Sequence, residues 1–482
     1  MGNIIRAIFF LFLTVNVSFG QIKFFNFYSD NGVDKGEGVI QLEDSSYVVT
    51  GSSSSFSASS QALLMKVDSL GKFLWSNHYG GAESESGRRV LYQKSYGFYI
   101  CGFTNSFGNG GFDYYLAKTD TNGVLEWEKS YGGNGWERVH DAALLIDTGV
   151  LMIGESSSNA TNNKDIYIVR TDKNGDTLWT KTIGGTGDDV AKVLERFDDT
   201  TYIIAGHYFN EDSLLTKAWV ARITIDGTVE WQGTYGNYQN TWANAFIFDS
   251  GLINCYGGSS GNGIVDNDSY FFLVDFSGAF FGDYRQVSSD DFDFLHAAKY
   301  GDSLNVYAIS KFKTSASYPI GYDVSVSNYI IALNYVDGLT IGHENEDVAN
   351  EIIPTSDGGA MVVGYTTGVI SGGNELYLCK IGPNSDYPVI SAFGNNQIVT
   401  IDEIENDLIK IYPNPSSGLI TISDLKNNFE NVQVVSPLGE LILEKQLLNY
   451  SKLDLSILPS GTYYLKLIGN DTVITRKMVI QH

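Results

Sequence analysis

The stretch Lys118–Gly133, KTDTNGVLEWEKSYGG, decides the fold because its pattern recurs along the chain. Related stretches are KVDSLGKFLWSNHYGG at 66–81, RTDKNGDTLWTKTIGG at 170–185 and RITIDGTVEWQGTYGN at 222–237. Each holds one tryptophan, and these tryptophans follow one another at a constant interval of 52 residues: Trp75, Trp127, Trp179 and Trp231. A fixed interval of this length indicates a repeat architecture.

A second recurring position extends the repeat over most of the chain. In each unit a hydrophobic strand ends in a small residue before a polar loop, as in FYICG and YIIAG. These small residues recur every 51 to 54 residues, at Gly51, Gly102, Gly154, Gly206, Gly257, Ser310 and Gly364. The sequence therefore predicts seven units.

Each unit is predicted to contain four short strands. In the second unit these are RRVLYQK, GFYICGF, DYYLAKTD and VLEWEKSY, separated by turn-forming residues. Four strands in about 50 residues without helical periodicity are typical of a β-propeller blade. We predict an all-β chain with a seven-bladed β-propeller, closed by the segment IKFFNFY because Tyr28 aligns with Tyr79 and Tyr131 while the seventh unit stops after its third strand.

The repeated tryptophans lie just after a predicted Asp-x-x-Gly hairpin turn, on the outermost strand of each unit. We interpret them as side chains that pack between neighbouring blades, where large aromatics fill a wide wedge. A ligand-binding role is the alternative. The pattern resembles the tryptophan docking of quinoprotein propellers. Units five and six lack the tryptophan and have Phe280, Phe281 and Ile341 nearby, so less regular packing is expected there.

The ends and the composition of the chain indicate an exported protein. Residues 1–20 combine Arg6 with an apolar run and with Ser18 and Gly20 at signal-peptidase spacing, which predicts a secretory signal peptide. No later segment has the length of a transmembrane helix. The formal net charge of −25 argues against a nucleic-acid partner. Cys101, Cys255 and Cys379 are expected to be buried free thiols.

Residues 383–407 are interpreted as a linker between the propeller, 21–382, and a small antiparallel β-sandwich, 408–482. This last region resembles the type A C-terminal sorting domain of the type IX secretion system of Bacteroidota. The resemblance rests on YPNPSSG, PLG, LPSGTY and KMVI, with the motif residues Tyr412, Pro413, Asn414, Pro415, Gly418, Gly439, Gly461 and Lys477. It implies export through the periplasm by the type IX machinery, and then handling by a surface sortase.

A recurrent carboxylate is the candidate site in the repeats. Seventeen residues before each small residue, just before the innermost predicted strand, lie Asp34, Glu85, Glu137, Asp189, Asn240, Asp293 and Asp347. Two interpretations stay open for this acidic ring at the channel mouth. The carboxylates accept hydrogen bonds from neighbouring loops, or they also attract a cation or a cationic ligand. The variable loops between second and third strands are predicted on the same face.

The sequence contains no short histidine metal spacing, no nucleophile elbow, no phosphate loop and no Cys-x-x-Cys. We therefore predict no catalytic residues, no metal and no cofactor. The sequence favours a secreted or cell-surface protein that binds a glycan or a protein. A polysaccharide lyase or hydrolase, or a structural or motility-associated surface protein, are the alternatives.

Overall fold

The structure is a computed structural model, and the chain divides into two compact units, Met1–Ile398 and Val399–His482. The residues that it describes are 22–28, 32–55, 57, 59–237, 240–260, 267–286, 292–299, 305–313, 322–330, 334–341, 346–367, 373–382, 411–412, 416–422, 429–435, 441–446, 452–469 and 473–481. The predicted signal peptide, 1–20, and linker, 383–407, lie outside these residues, as do Pro413, Asn414, Pro415 and Gly439.

The described part of the first unit consists of β-strands in four-stranded antiparallel sheets. It opens with strand β1 (Ile22–Tyr28). Sheet 1 follows with β2 (Asp34–Gln41), β3 (Tyr47–Ser53), β4 (Gln61–Val67) and β5 (Phe73–Tyr79); sheet 2 has β6 (Glu85–Gln93), β7 (Gly97–Thr104), β8 (Asp113–Thr119) and β9 (Leu125–Tyr131); sheet 3 has β10 (Glu137–Leu144), β11 (Val150–Ser156), β12 (Asp165–Thr171) and β13 (Thr177–Ile183).

The next sheets repeat the same order. Sheet 4 has β14 (Val190–Arg196), β15 (Thr201–Asn210), β16 (Leu215–Thr224) and β17 (Val229–Tyr235); sheet 5 has β18 (Asn240–Asp249), β19 (Leu252–Ser260), β20 (Asn267–Asp275) and β21 (Phe280–Gln286); sheet 6 has β22 (Phe292–Lys299), β23 (Asn305–Lys313), β24 (Tyr322–Ile330) and β25 (Asn334–Ile341). Sheet 7 has β26 (Asp347–Pro354), β27 (Ala360–Thr367) and β28 (Asn374–Ile381).

The fourth strand of sheet 7 is β1, from the other end of the unit. It pairs antiparallel with β28, in a register that places Phe25 opposite Cys379 and Phe27 opposite Tyr377. The first strand of each sheet contacts the first strand of the next sheet, and β26 contacts β2. The order of contacts among the sheets therefore closes on itself.

The burial of each strand follows from its place in its sheet. Second and third strands, such as β3, β8 and β11, are buried along their whole length because other sheets cover both of their faces. They consequently read as unbroken apolar runs. Fourth strands such as β5 and β9 are half exposed. Apolar clusters join side chains of neighbouring sheets, and one of them joins sheet 7 to sheet 1. The three cysteines are buried and free.

Sheet 5 departs from the regular pattern at its fourth strand, where the tryptophan is missing. Phe280 and Phe281 are 43% and 67% exposed. Trp231 of sheet 4 packs against Gly278 in the turn before this strand. In other repeats the tryptophan of the fourth strand packs against the next sheet. In β21 the phenylalanine side chains are instead exposed to solvent.

The second unit contains two antiparallel sheets around one core. One sheet has β29 (Ile411–Tyr412), β30 (Leu419–Ile422) and β33 (Lys452–Asp454); the other has β31 (Phe429–Val435), β32 (Leu441–Gln446), β34 (Gly461–Gly469) and β35 (Val473–Ile480). Ile420 and Leu453 of the first sheet share an apolar cluster with Val434, Leu465 and Met478 of the second. The two sheets thus pack face to face.

Candidate functional site

A β-bulge recurs in the first strand of every sheet of the first unit. At each bulge one residue of the first strand has no partner on the second strand. It directly follows the residue that pairs with the repeat's small residue. In sheet 3, for example, Val139 pairs with Gly154 and Asp141 with Ile153, so His140 is skipped. The skipped residues with described side chains are Glu37, Arg88, His140, Lys192, Asn244 and Asn350. In β22 the skipped residue is Leu295. A bulge re-aims the side chain that it carries.

These six side chains all line one central cavity of about 430 Å³, together with Phe103 of β7 and with neighbours on the first strands. A cavity of this size lies within the range of small-molecule sites, about 300–1,000 Å³. This set was not among the predicted site residues, because the residue type changes at each bulge. The signal was nevertheless present, three residues after the recurrent carboxylate in five of the repeats.

Two carboxylates of the cavity fasten neighbouring sheets to one another. Asp141 accepts a hydrogen bond from the Leu194 backbone amide at 2.8 Å, and Glu351 accepts one from the Val39 amide at 2.7 Å. Arg89 forms ion pairs with both carboxylates, and its Nε lies 2.7 Å from Asp141 Oδ1. These charges are engaged in holding the first strands together.

A polar group in the same cavity centres on His140. Its Nε2 lies 3.2 Å from Lys192 Nζ and 3.3 Å from Glu155 Oε2. Burial, with the positive charge of Lys192, lowers the pKa of His140 to about 3, so the ring is neutral and its Nε2 can accept a hydrogen bond from the Lys192 ammonium group. Glu155 also pairs with Lys164 Nζ at 3.1 Å.

Arg138 reaches the cavity from the start of β10 within a group of aromatic rings. Its guanidinium carbon lies 5.5 Å from the ring centroids of Phe103, Phe112 and Trp136. Trp136 is 53% exposed, and it packs edge-on against Phe112. Trp136 lies in the loop between β9 and β10, at the end of the sheets where the first strands begin. The loops between second and third strands lie at the same end.

The recurrent carboxylates lie at the same end, but they are turned away from the cavity. Glu137 Oε2 accepts the Gly133 amide at 2.9 Å, and its Oε1 accepts the hydroxyls of Ser156 and Ser158. Glu85 accepts the Gly81 amide at 3.0 Å in the same way. The members with described side chains are all buried, namely Asp34, Glu85, Glu137, Asp189 and Asp347. Asp293 lies in β22, and its side chain is outside the described residues.

This geometry favours the interpretation in which the carboxylates hold loops in place. In sheet 5 the strand register places Thr241 at this position, and its Oγ1 accepts the Ala218 amide at 3.0 Å. Asn240 lies one residue earlier, and its Oδ1 accepts the Thr216 amide at 3.0 Å. Among the described residues, no group of three or more His, Cys, Asp or Glu side chains could hold a metal ion. A cation at this ring stays a prediction.

Two carboxyl groups of neighbouring sheets crowd together beside Gly132. A Cβ on that glycine would lie 1.9 Å from Asp113 Oδ1 and 2.3 Å from Glu137 Oε2. Both oxygens can therefore occupy these positions only because residue 132 has no side chain. Burial, and then the nearby Glu137, raise the pKa of Asp113 from 3.8 to about 6. The charged form of Asp113 is therefore disfavoured in the folded protein.

We expect Asp113→Asn to stabilise the protein at pH 8 but not at pH 4. Because the folded pKa lies above the unfolded value, the wild type loses stability as pH rises from about 4 to about 6 and stays weakened above that. After allowance for solvent screening, the gain at pH 8 should be about 1 kcal/mol. Urea unfolding at both pH values measures it, with the exposed Asp212→Asn as control. An equal gain at pH 4 would contradict the explanation.

The tryptophans dock onto a glycine of the next sheet. Gly123, in the turn between β8 and β9, has φ +78°, and a Cβ there would lie 2.8 Å from Trp75 Cζ3. Gly175, Gly227 and Gly278 meet Trp127, Trp179 and Trp231 in the same way. At the ring closure, Phe24 takes the place of the tryptophan against Gly71.

A tyrosine strengthens most of these contacts. Tyr79 Oη donates a hydrogen bond to the carbonyl of Gly123 at 2.6 Å, and Tyr131 Oη donates to that of Gly175 at 2.6 Å. Tyr28 of β1 donates to the carbonyl of Gly71 at 2.5 Å. The fourth strand of one sheet thus binds the hairpin turn of the next at several junctions.

We expect Trp127→Ala to lower the free energy of unfolding by about 3 kcal/mol, the low end for a large aromatic because Trp127 is only partly buried. The loss comes from its contacts with Tyr99, at 6.1 Å between ring centroids, and with Gly175. Denaturant unfolding measures it, with Tyr96→Ala as a control at a side chain that is 67% exposed. A loss below about 1 kcal/mol would show that the docking contributes little.

In the second unit, the turn at Ser416 to Gly418 is hydrogen-bonded to the end of the last strand, β35. Gly418 has φ +121°, and its amide donates to Ser416 Oγ at 3.0 Å. The Ser416 amide donates to the Val479 carbonyl at 2.9 Å, and the Gln481 amide donates back to the Ser416 carbonyl at 2.8 Å. Tyr463 Oη donates to the Pro459 carbonyl at 2.9 Å within LPSGTY.

Among the sorting-motif residues, Tyr412 is in β29, Gly461 begins β34 and Lys477 is in β35, opposite Tyr464. Residues 410–481 match the family model of the secretion system C-terminal sorting domain. The C-terminal unit is a secretion system C-terminal sorting domain. A protein that carries this sorting domain is exported to the cell surface or secreted. The C-terminal sorting domain that the sequence predicts is thereby confirmed.

Comparison with solved structures finds propeller-like relatives of low identity. A fungal alcohol oxidase of the AA5 family is 10% identical, with a TM-score of 0.48 over 96% of this chain and 100% of that chain. A polysaccharide lyase is 11% identical, with a TM-score of 0.45 over 72% and 90%. The β-propeller domain of the Trilobed protease from Pyrococcus furiosus is 10% identical, with a TM-score of 0.35 over 75% and 95%.

At these identities the likeness extends to the fold alone. No curated protein matches the sequence of the chain. Within the described ranges, the protein has no helical segment with the length and apolar character of a membrane span.

Proposed function

We propose that residues 21–382 form a closed seven-bladed propeller that acts as an exported binding protein, with its ligand site in the central channel. The cyclic contacts of the first strands and the pairing of β1 with β28 support the blade number. The observation that carries the function is the set of bulge residues around the cavity. Six of the seven first strands contribute a polar side chain there while the strands around them keep a common pattern.

Binding is favoured over catalysis by the state of the cavity's acidic groups. Glu37 pairs with Arg88, while Asp141 and Glu351 hold Arg89 and backbone amides. A general acid or base needs access to a substrate proton. The described carboxylates of the cavity are instead committed to partners within the protein.

The sorting domain sets where this binding takes place. We propose that the type IX secretion machinery carries the protein across the outer membrane and that a surface sortase then handles it. The bound glycan or protein would be extracellular. The acidic chain, at −25, would disfavour nucleic acid.

A glycan array and a panel of extracellular proteins, applied to the full mature chain, test the proposal. Asn244→Tyr fills the cavity and should abolish binding, while Lys173→Tyr, at an exposed turn between β12 and β13, should leave it intact. Polysaccharide degradation is assayed in parallel. Retained binding in the Asn244 variant would exclude the channel as the site, and depolymerisation would favour the lyase or hydrolase alternative.

A further inference from the structure

The charge in the channel is opposite in sign to the charge of the chain. The whole sequence carries a formal charge of −25. The cavity is lined by four cationic side chains and three carboxylates, namely Arg88, Arg89, Arg138 and Lys192 against Glu37, Asp141 and Glu351. Low-dielectric walls concentrate the field of such charges. Among the charged side chains that line the cavity, positive charges therefore exceed negative ones by one, although the protein as a whole is acidic.

Lys192 is one of the cavity cations without a direct ion pair among the described residues, and the charge of Glu155 acts on it from beyond His140. No carboxylate oxygen of a described residue forms an ion pair with its ammonium group, and its polar contact is the neutral His140. Burial inside the channel lowers the pKa of Lys192 to about 8, so it stays largely protonated at neutral pH. A cation in such a place is costly unless an anion joins it.

Lys192 also stands between two cavities. It lines the central one and a second cavity of about 440 Å³, which Thr216, Asn240, Trp242 and Ser260 also line. The second cavity is rich in hydroxyl and amide groups, which bind sugar hydroxyls through hydrogen bonds. A ligand that pairs with Lys192 can therefore reach neutral polar partners on its other side.

Arg138 is the second such cation. Within the described ranges its guanidinium has neither an ion pair nor a hydrogen bond, and its buried Nε is without a partner. The surrounding rings of Phe103, Phe112 and Trp136 hold its position by cation–π contacts. A planar guanidinium fixed in this way suits a carboxylate or a sulfate, which it can bind through two parallel hydrogen bonds.

Trp136 adds an apolar surface beside the cation. Its indole is 53% exposed and rests against Phe112, at 5.2 Å between ring centroids. A Cβ on Gly111 would lie 2.6 Å from Trp136 Cδ1, so a side chain at this position would collide with the indole. The C–H face of a sugar ring packs on such an exposed aromatic plane, whereas a small anion gains no apolar contact from it.

We infer that the channel binds an anionic saccharide, with Arg138 and Lys192 pairing with its carboxylate or sulfate groups and Trp136 stacking on a sugar ring. This inference rests on the proposed binding function and names the class of ligand. An acidic peptide shares the negative charge but lacks the sugar face. Tight binding of an acidic peptide would therefore contradict the inference.

The experiment measures binding of the full mature chain to four probes by calorimetry. They are trigalacturonate, which carries carboxylates, a sulfated galactotriose, neutral galactotriose and triglutamate. We expect one of the two charged sugars to bind at least about tenfold more tightly than the neutral one. The preferred sugar then distinguishes a carboxylate from a sulfate site.

Three variants and a control assign the contacts. Lys192→Met and Arg138→Gln should each weaken the charged sugar at least about tenfold and leave the neutral sugar unchanged. Trp136→Ala should weaken both sugars, and Lys173→Met should change neither. Lys192→Met should also raise the melting temperature, because it removes a cation without an ion pair. That rise, together with retained circular dichroism, shows that the variant folds.

The outcomes separate this inference from the function on which it rests. If neutral galactotriose binds as tightly as the charged sugars and Asn244→Tyr abolishes it, the binding function stands and the anionic inference is overturned. Tight triglutamate binding that survives Trp136→Ala overturns the saccharide inference in favour of a peptide. Binding of none of the four probes, or unchanged affinity in Lys192→Met and Arg138→Gln, also overturns it.

Discussion

A chain that lacks residues 473–482 is expected to stay in the periplasm, whereas the full-length protein reaches the cell surface or the medium. The deletion removes β35, which pairs with β34 from Gly461 to Ile468. It also removes Met478 and Ile480 from the core of the sorting domain and leaves an open strand edge. The sorting domain should then fail to fold, and export depends on its recognition.

Cell fractionation with immunoblotting measures this result. Removal of His482 alone is the control, because it leaves β35 and the Ser416 hydrogen bonds intact. Gly418→Val is a second test, since its Cβ would lie 2.4 Å from Ser456 Cα at a φ of +121°. The first unit has its own apolar clusters and should remain folded in the periplasm. Equal amounts of truncated and full-length protein outside the cell would show that the domain is not the export signal.

Deletion of residues 22–28 should cause aggregation and a large loss of stability, because it opens the edge of β28. The deletion also removes Phe24, which is 5% exposed, from the apolar cluster between sheets 7 and 1. The hydrogen bond from Tyr28 Oη to the Gly71 carbonyl is lost with it. Light scattering and thermal unfolding compare the deletion with the intact mature chain.

A crosslink tests the same closure without deleting anything. Phe25 lies directly opposite Cys379, and opposed residues of an antiparallel pair share one face of the sheet. Phe25→Cys should therefore form a disulfide with Cys379 on oxidation, visible by mass spectrometry of a peptide digest. Phe27→Cys faces Tyr377 and should not. Absence of the Phe25 crosslink, or an equal yield from both variants, would show that β1 does not close the ring.

The architecture was predictable because the repeat fixes strand order and burial together. Second and third strands are covered on both faces, so each copy must keep an apolar run that ends in a small residue, such as Gly154. The alignment of Tyr28 with Tyr79 predicted the pairing of β1, and both hydroxyls indeed donate to a glycine carbonyl of the next sheet. Features required at every junction leave a regular trace in the sequence.

The cavity could not be predicted in the same way. Six of its residues lie at bulges, which the sequence marks by no fixed residue type. Arg138 and Lys192 reach the cavity from separate sheets. The rings around Arg138 come from β7, a loop before β8 and a loop before β10. The recurrent carboxylates drew attention because they repeat. They repeat because they hold loops, and that role is the same in each copy.

The bulges have a consequence for how this protein can change over evolution. A residue that the ladder skips has no directly opposed partner, so its replacement leaves the strand pairing intact. Each such bulge thus offers one position at which a single codon alters the cavity wall while the strand ladder is kept. Gene copies could diverge in what they recognise by exchanging a few such residues, while the scaffold and its export signal are inherited unchanged.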